Sequence, residues 1–345
     1  MIHTAICTDC FGQTPRNRQL SRAAGNGSPQ AQATTTTTTT EIPETGQWNI
    51  TRFRVNVFTN REWPTIFPQT RDDFSIGVEQ SASTVAGLAW SPPGLAKHRR
   101  CTLAVLTTNL LLSFYEPLGP QGKWVRVAIV NQGLNDHFSD ITPHPSTRLK
   151  KSNIRAFSWC PTVKIPSTQR NGNAYAVPGP ESRWGIQPLV LANDDNEVLL
   201  LEIQRAQRGP DTLTRYSIRV LSSILLHGQD KSYPPVQPES LFAAAIRSRV
   251  KVSSISAGPW APLSDTTSGR HSVTAAVAAT YGTQLRIIKV DVSSNHGEPS
   301  SSKLEANLAQ HPIDAPDQKF HEHQFTGPLR WLYTVSTNPP ALLWK

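Results

Sequence analysis

The stretch STVAGLAWSPPGLAKHRRCTLAVLTTNLLLSFYEP, residues 83–117, decides the fold because its parts recur along the chain. An alternating apolar run ends on Trp90; Ser91-Pro92 and a basic knot follow, and two strand-like runs then flank Thr108-Asn109 before Tyr115-Glu116. Leu88-Ala-Trp90-Ser-Pro92 returns as Phe157-Ser-Trp159-Cys-Pro161, as Gly258-Pro-Trp260-Ala-Pro262 and, more faintly, as Leu329-Arg-Trp331. After each of the first three tryptophans comes strand, tight turn, strand. The turns fall at Thr108-Asn109, at Asn193 to Asn196 and at Tyr281-Gly282, where Asn, Asp and Gly tolerate the positive φ a hairpin needs. Each second strand closes on an apolar residue beside an acid: Tyr115-Glu116, Leu201-Glu202 and Val290-Asp291.

WVRVAIV at 124–130 and YSIRVLSS at 216–223 supply a fourth strand to the first two units. A unit of three or four antiparallel strands cannot bury both faces alone, so such units stack on one another, and radial stacking gives a β-propeller. The fold class is therefore all-β, a WD40-like propeller of diverged type, since the Trp-Asp and Gly-His dipeptides of strict WD repeats are missing and long loops stretch the repeat. Trp90, Trp159, Trp260 and Trp331 read as packing residues of the blade core.

Composition agrees with short strands and many turns. Of 345 residues, 37% are hydrophobic, with 28 prolines and 20 glycines. No run approaches the roughly eighteen apolar residues of a membrane span, and MIHTAICTDCFGQTPR lacks a secretory core, so a soluble, intracellular chain is expected. Four cysteines fit a reducing compartment. Residues 12–47 are rich in Gln, Asn, Ser, Gly and Thr and include the run Thr34 to Thr40, so 1–47 reads as a disordered leader and 48–345 as the propeller. TRFRVNVFTN, at 51–60, alternates Phe53, Val55 and Val57 with polar residues, the period of a half-buried strand.

The formal charge of +9 makes acidic partners plausible. The excess is spread over Lys97-His98-Arg99-Arg100, Arg148 with Lys150-Lys151, Arg205 to Arg219, and Arg247 with Arg249-Lys251, and solvated loops are the plainer reading of such clusters. Lys97, His98, Arg99 and Arg100 are the candidate interaction residues, because a loop between the Trp90 strand and the hairpin projects from one rim of the blade, towards phosphate or an acidic segment.

FRVNVFTNREWP (53–64), residues 74–117 and WVRVAIVN (124–131) together resemble the N-terminal propeller region of the 90-kDa subunit of transcription factor IIIC in its fungal form. The resemblance implies a scaffold subunit of a nuclear initiation factor for RNA polymerase III at transfer-RNA and 5S genes. The partners it implies are the other subunits of that factor and the polymerase III machinery; DNA is met through the complex, and no membrane is involved. The family's N-terminal blade is replaced by the threonine-rich leader, and PPALLWK at 339–345 falls inside what reads as a blade. The propeller is thus expected to be incomplete at both ends, without the family's C-terminal zinc-binding region.

A propeller scaffold of another nuclear complex is one alternative. Another is histone acetyltransferase activity, associated with animal relatives. Two short matches to an acetyl-CoA pyrophosphate loop exist, Arg22-Ala-Ala-Gly25-Asn-Gly27 and Gln169-Arg-Asn-Gly172-Asn-Ala174, but both lie in polar loops without the strand and helix that would aim backbone amides at phosphate. A third reading, direct DNA binding through the basic loops, would require steep salt dependence. Cys7 and Cys10 have zinc-ligand spacing without a second pair, Cys101 and Cys160 read as small core residues, and His321 and His323, with His311 nearby, as a solvated loop. No nucleophile with its base is legible, and no catalytic residue, cofactor or metal site is assigned.

Overall fold

The structure, a computed structural model, describes residues 2–6, 49–58, 62, 84–118, 123–164, 184–205, 216–226, 251–263, 272–281, 284–295, 303–311, 329–331 and 342–343. The chain divides into two compact units, Met1–Val55 and Asn56–Lys345. The first contains an antiparallel pair, β1 (Ile2–Ile6) with β2 (Asn49–Phe53). β1 falls inside the stretch read as a leader, whose remainder, 7–47, lies outside the described residues.

The second unit is built from four-stranded antiparallel meanders. β3 (Val85–Trp90), β4 (Leu103–Thr107), β5 (Leu112–Leu118) and β6 (Lys123–Ile129) form the first sheet in chain order. β7 (Ile154–Trp159), β8 (Gln187–Asn193), β9 (Glu197–Arg205) and β10 (Tyr216–Leu225) form the second. β11 (Val252–Ala257), β13 (Ser272–Tyr281), β14 (Gln284–Asn295) and β15 (Lys303–His311) form the third, with the short β12 (Ala261–Leu263) also paired to β13. β16 (Arg330–Trp331) and β17 (Leu342–Leu343) pair with each other.

Period-two geometry explains why the hairpin of the second sheet reads as unbroken apolar sequence. Leu189 and Leu191 of β8 and Leu199 and Leu201 of β9 point into a core shared with Ala104, Leu106, Leu112 and Phe114 of the first sheet. The intervening Val190, Ala192, Val198 and Leu200 point the other way, into a core shared with Val277, Ala279, Ile288 and Val290 of the third. One sheet is thus buried on both faces, and each repeat is stable only through its neighbours.

The innermost strands carry a repeated irregularity. Register slips by one residue between Val85 and Gly87, between Ile154 and Ala156, and between Val252 and Ser254. Such bulges bend a strand and sharpen its twist. The extra residues, Ala86, Arg155 and Ser253, all line an open cavity of about 680 Å³ between β3, β7, β11 and β16, the arrangement of first strands around a propeller axis.

Away from that axis the structure departs from the sequence reading in several places. The strand expected over 51–57 ends at Phe53, because pairing with β1 runs out at Ile2↔Phe53; Val55 and Val57 lie beyond it, and Asn60 and Pro64 fall outside the described residues. In the first hairpin the left-handed residue is Leu110 (φ 65°), not Asn109. Two hydrogen bonds accepted by the Leu110 carbonyl, from Ile154 N (2.9 Å) and Asn131 Nδ2 (2.9 Å), hold it in that conformation. The second turn does place its positive φ on Asn196 (61°), and of the third only Tyr281 is described.

Two helices, α1 (Val130–Ser139) and α2 (Pro145–Ser152), join the first two sheets. Val130, Leu134 and Phe138 of α1 are buried at helical spacing, and a Cβ at Gly133 would lie 2.9 Å from Ile218 Cβ, so glycine lets α1 approach β10. None of the described helices is long and apolar enough to cross a membrane.

Candidate functional site

The connection from β3 to β4, residues 91–102, is fastened before it displays any charge. Ser91 N donates to Thr102 O and Thr102 N to Ser91 Oγ, each at 2.9 Å, which closes the neck of the loop. Leu95 and Ala96 are buried, the former within the core between the first two sheets. Gly94 N donates to Arg99 O (3.0 Å) and Ala96 N to Arg100 O (2.9 Å), so the tip folds back on itself. Gly94 has φ 109°, and a Cβ there would stand 3.1 Å from Trp184 Cβ, against the entrance of the second sheet. His98 (φ 58°) and Arg99 (φ 60°) are left-handed, a conformation costing non-glycine residues roughly 1 kcal/mol or more. The result is a rigid turn with Lys97, His98, Arg99 and Arg100 all exposed, as the sequence led one to expect of a projecting loop.

Beneath the turn lies Glu116, the acid of the first apolar-acid pair, 1% exposed. Its Oε2 accepts from Lys97 N at 3.2 Å and stands 3.7 Å from Arg205 Nη2 at the end of β9. Its Oε1 accepts from the Tyr216 hydroxyl of β10. Tyr216 gives its one proton to Glu116, so Thr102 donates to the phenol oxygen at 2.8 Å. Burial first, and then the negative charge of Glu116, push the Tyr216 phenol well above its ordinary range. One carboxylate therefore ties the basic turn of the first sheet to two strands of the second.

The other two acids of the repeat are likewise structural. Glu202 accepts from Arg219 Nε (2.8 Å) and from Gln204 Nε2 (2.6 Å), and Asp291 pairs with Lys289 at 3.0 Å. Several described members of the remaining basic clusters, Lys151, Arg205, Arg219 and Lys251, are engaged in the same way. Lys151 bonds Glu197 at 2.9 Å and Lys251 lies 3.6 Å from Asp194, whose Oδ1 also meets Arg155 at 2.5 Å. The buried Asn193 accepts from Asp195 N (3.0 Å) and Glu197 N (2.9 Å) and donates to Lys151 O (3.1 Å), which knits α2 to the second hairpin. That network at the Asn193 to Asn196 turn was missed by sequence reasoning, although three acids in five residues opposite Lys150-Lys151 were its signal. Arg247 and Arg249 lie outside the described residues.

Trp159, Trp260 and Trp331 sit at seams between sheets, whereas Trp90, read from the sequence as a blade-core residue, is exposed. Trp159 stacks on Phe114 of the preceding sheet, with ring centroids 5.5 Å apart. Trp260 Nε1 donates to Pro161 O (2.6 Å), just beyond β7, and Trp331 Nε1 to Ser256 O (3.1 Å) of β11. Trp90 is 40% exposed and meets Trp124 of its own sheet at 5.8 Å. An indole suits such a seam, being an apolar plate with one donor at its edge.

Among the described residues no group of three or more His, Cys, Asp or Glu could hold a metal ion. Burial pushes the Cys160 thiol up to about 12, so it packs as a small apolar residue, and Cys101 is half-buried. Cys7, Cys10, His321, His323 and both matches to a pyrophosphate loop lie outside the described residues.

The repeated meanders, their shared cores and the axial cavity define a propeller, and the chain matches the transcription factor IIIC subunit delta beta-propeller domain family over residues 13–342. The chain belongs to that family. A comparison with curated proteins finds no match. Nearly the whole length is covered, so the four-stranded sheets are blades of the transcription factor IIIC propeller, and the anchored basic turn is a feature of one rim of its first described blade.

Proposed function

We propose that this component of transcription factor IIIC is a scaffold subunit that supports initiation by RNA polymerase III at transfer-RNA and 5S genes in the nucleus. Its partners are other subunits of the factor and the polymerase machinery, and DNA is reached through them. Within this reading residues 48–345 are the scaffold, and Lys97, His98, Arg99 and Arg100 are its contact residues. The observation that carries it is the basic turn: Lys97, His98, Arg99 and Arg100 are exposed in succession on a backbone held by buried Leu95, Ala96 and Glu116. A surface so fixed presents its charges without the entropy loss of ordering a mobile loop on binding.

Depleting the protein from a nuclear extract is expected to reduce transcription from a transfer-RNA gene template severalfold, while a polymerase II template is unaffected. Adding back the purified complex restores the loss. Undiminished transfer-RNA synthesis after complete depletion would contradict the proposed role.

A further inference from the structure

We propose that Lys97, His98, Arg99 and Arg100, joined by Arg205 of the second blade, form a composite cationic site for an acidic peptide segment of a partner protein. This deepens the scaffold reading and rests on it. The five residues come from two blades yet share one anchor, since Glu116 Oε2 takes the Lys97 amide at 3.2 Å and lies 3.7 Å from the Arg205 guanidinium. Arg205 is one-third exposed with Nη2 3.7 Å from Glu116 Oε2, and a guanidinium carries five donors in all.

Two independent features mark this turn as more than a solvated loop. Its backbone holds two consecutive non-glycine residues, His98 and Arg99, in left-handed conformation, and strain of this kind persists only where surrounding contacts over-determine it. The carboxylate beneath the turn, Glu116, is 1% exposed, so the acid that holds the turn lies inside the blade rather than on its surface.

The compactness of the cluster selects the class of partner. Three cations and an imidazole lie in a single turn whose ends are closed by hydrogen bonds from Gly94 to Arg99 and from Ala96 to Arg100. Such a knot meets few phosphates of a duplex, and duplex affinity grows with the number neutralised. A short run of Asp or Glu brings several carboxylates into one small volume, where guanidinium and ammonium donors form charge-assisted hydrogen bonds with them.

The test is fluorescence anisotropy of a fluorescein-labelled oligo-glutamate peptide titrated with the full chain, with a DNA duplex of equal charge as competitor. Arg99→Glu is expected to weaken peptide binding at least about fivefold, whereas Lys150→Glu, the same charge change on α2, alters it less than about twofold. Lys97→Gln, which leaves the amide to Glu116 intact, decides the matter if Arg99→Glu disturbs the circular dichroism spectrum. The expected duplex is a poor competitor at equal charge. Equal loss in Lys150→Glu, no loss in either rim variant, no peptide binding, or displacement by the duplex at lower concentration would each overturn the proposal. Co-purification of other transcription factor IIIC subunits is read separately, so failure of the peptide site is distinguishable from failure of the scaffold reading.

Discussion

Truncation of Phe114 to alanine is expected to lower the unfolding free energy by about 4 kcal/mol, within the range for deleting a fully buried phenyl ring. Phe114 has no exposed surface and lies where two blades meet. Its ring stands 5.5 Å from Trp159 and edge-on 5.7 Å from Tyr216, both of the second blade. The vacancy would therefore open at a seam, with Trp159 fixed by its strand and unable to collapse into it. Aromatic pairs add about 0.5–1.5 kcal/mol beyond area, so Phe114→Leu, which fills most of the volume, should still lose part of that term. Urea unfolding followed by tryptophan fluorescence reads both variants; a midpoint unchanged in Phe114→Ala would show that the seam carries little of the stability.

Removal of the Glu116 carboxylate is the second large effect. Glu116→Ala leaves the Tyr216 hydroxyl and the Lys97 amide without their acceptor and the Arg205 charge without its partner, at a cost of about 3 kcal/mol. Glu116→Gln keeps one oxygen but turns an amide N–H towards donors, so it should recover only part of the loss. The diagnostic readout is local. Amide hydrogen exchange should accelerate across the turn at Gly94, Ala96 and Lys97 beyond what the global loss explains, because the carboxylate fastens that turn from below. Uniform acceleration over all blades, with none specific to the turn, would mean that Glu116 supports the core alone.

Much of this architecture is legible in the sequence, for a physical reason. The tryptophan and Pro spacing and the hairpins are local patterns that map onto strands and turns: β3 and β7 end on Trp90 and Trp159, and the fourth strands appear at Lys123–Ile129 and Tyr216–Leu225. The apolar-acid pairs, expected to close the second strands, fall inside them instead, since β5, β9 and β14 run on to Leu118, Arg205 and Asn295. Seams are not local. That Trp159 rests on Phe114, or that Tyr216 reaches Glu116 across 100 positions, depends on the radial arrangement of blades, which no periodicity encodes. The left-handed Leu110 is hidden for the same reason, since tertiary hydrogen bonds from Ile154 and Asn131 override the turn preference of Asn109. α1 was hidden differently: its apolar positions 130, 134 and 138 begin inside an excellent strand pattern, and β6 hands over to the helix at Ile129 without a break.

The site divides along the same line. Exposure of Lys97 to Arg100 follows from a basic run between strands, whereas the anchoring of that run and the approach of Arg205 come only with the fold. The other basic clusters look equivalent in the sequence, and only the fold shows that Lys151, Arg219 and Lys251 meet acids within hydrogen-bonding or ion-pair distance. Charge runs therefore need partners to be located before they can be read as surfaces.

The account is tested most directly by affinity purification of the tagged chain from nuclear extract, followed by mass spectrometry of what a moderate salt wash leaves bound. Recovery of the other transcription factor IIIC subunits in near-equal amounts is the predicted result. Recovery of chaperones alone, with the chain folded and those subunits present in the extract, would contradict the scaffold function.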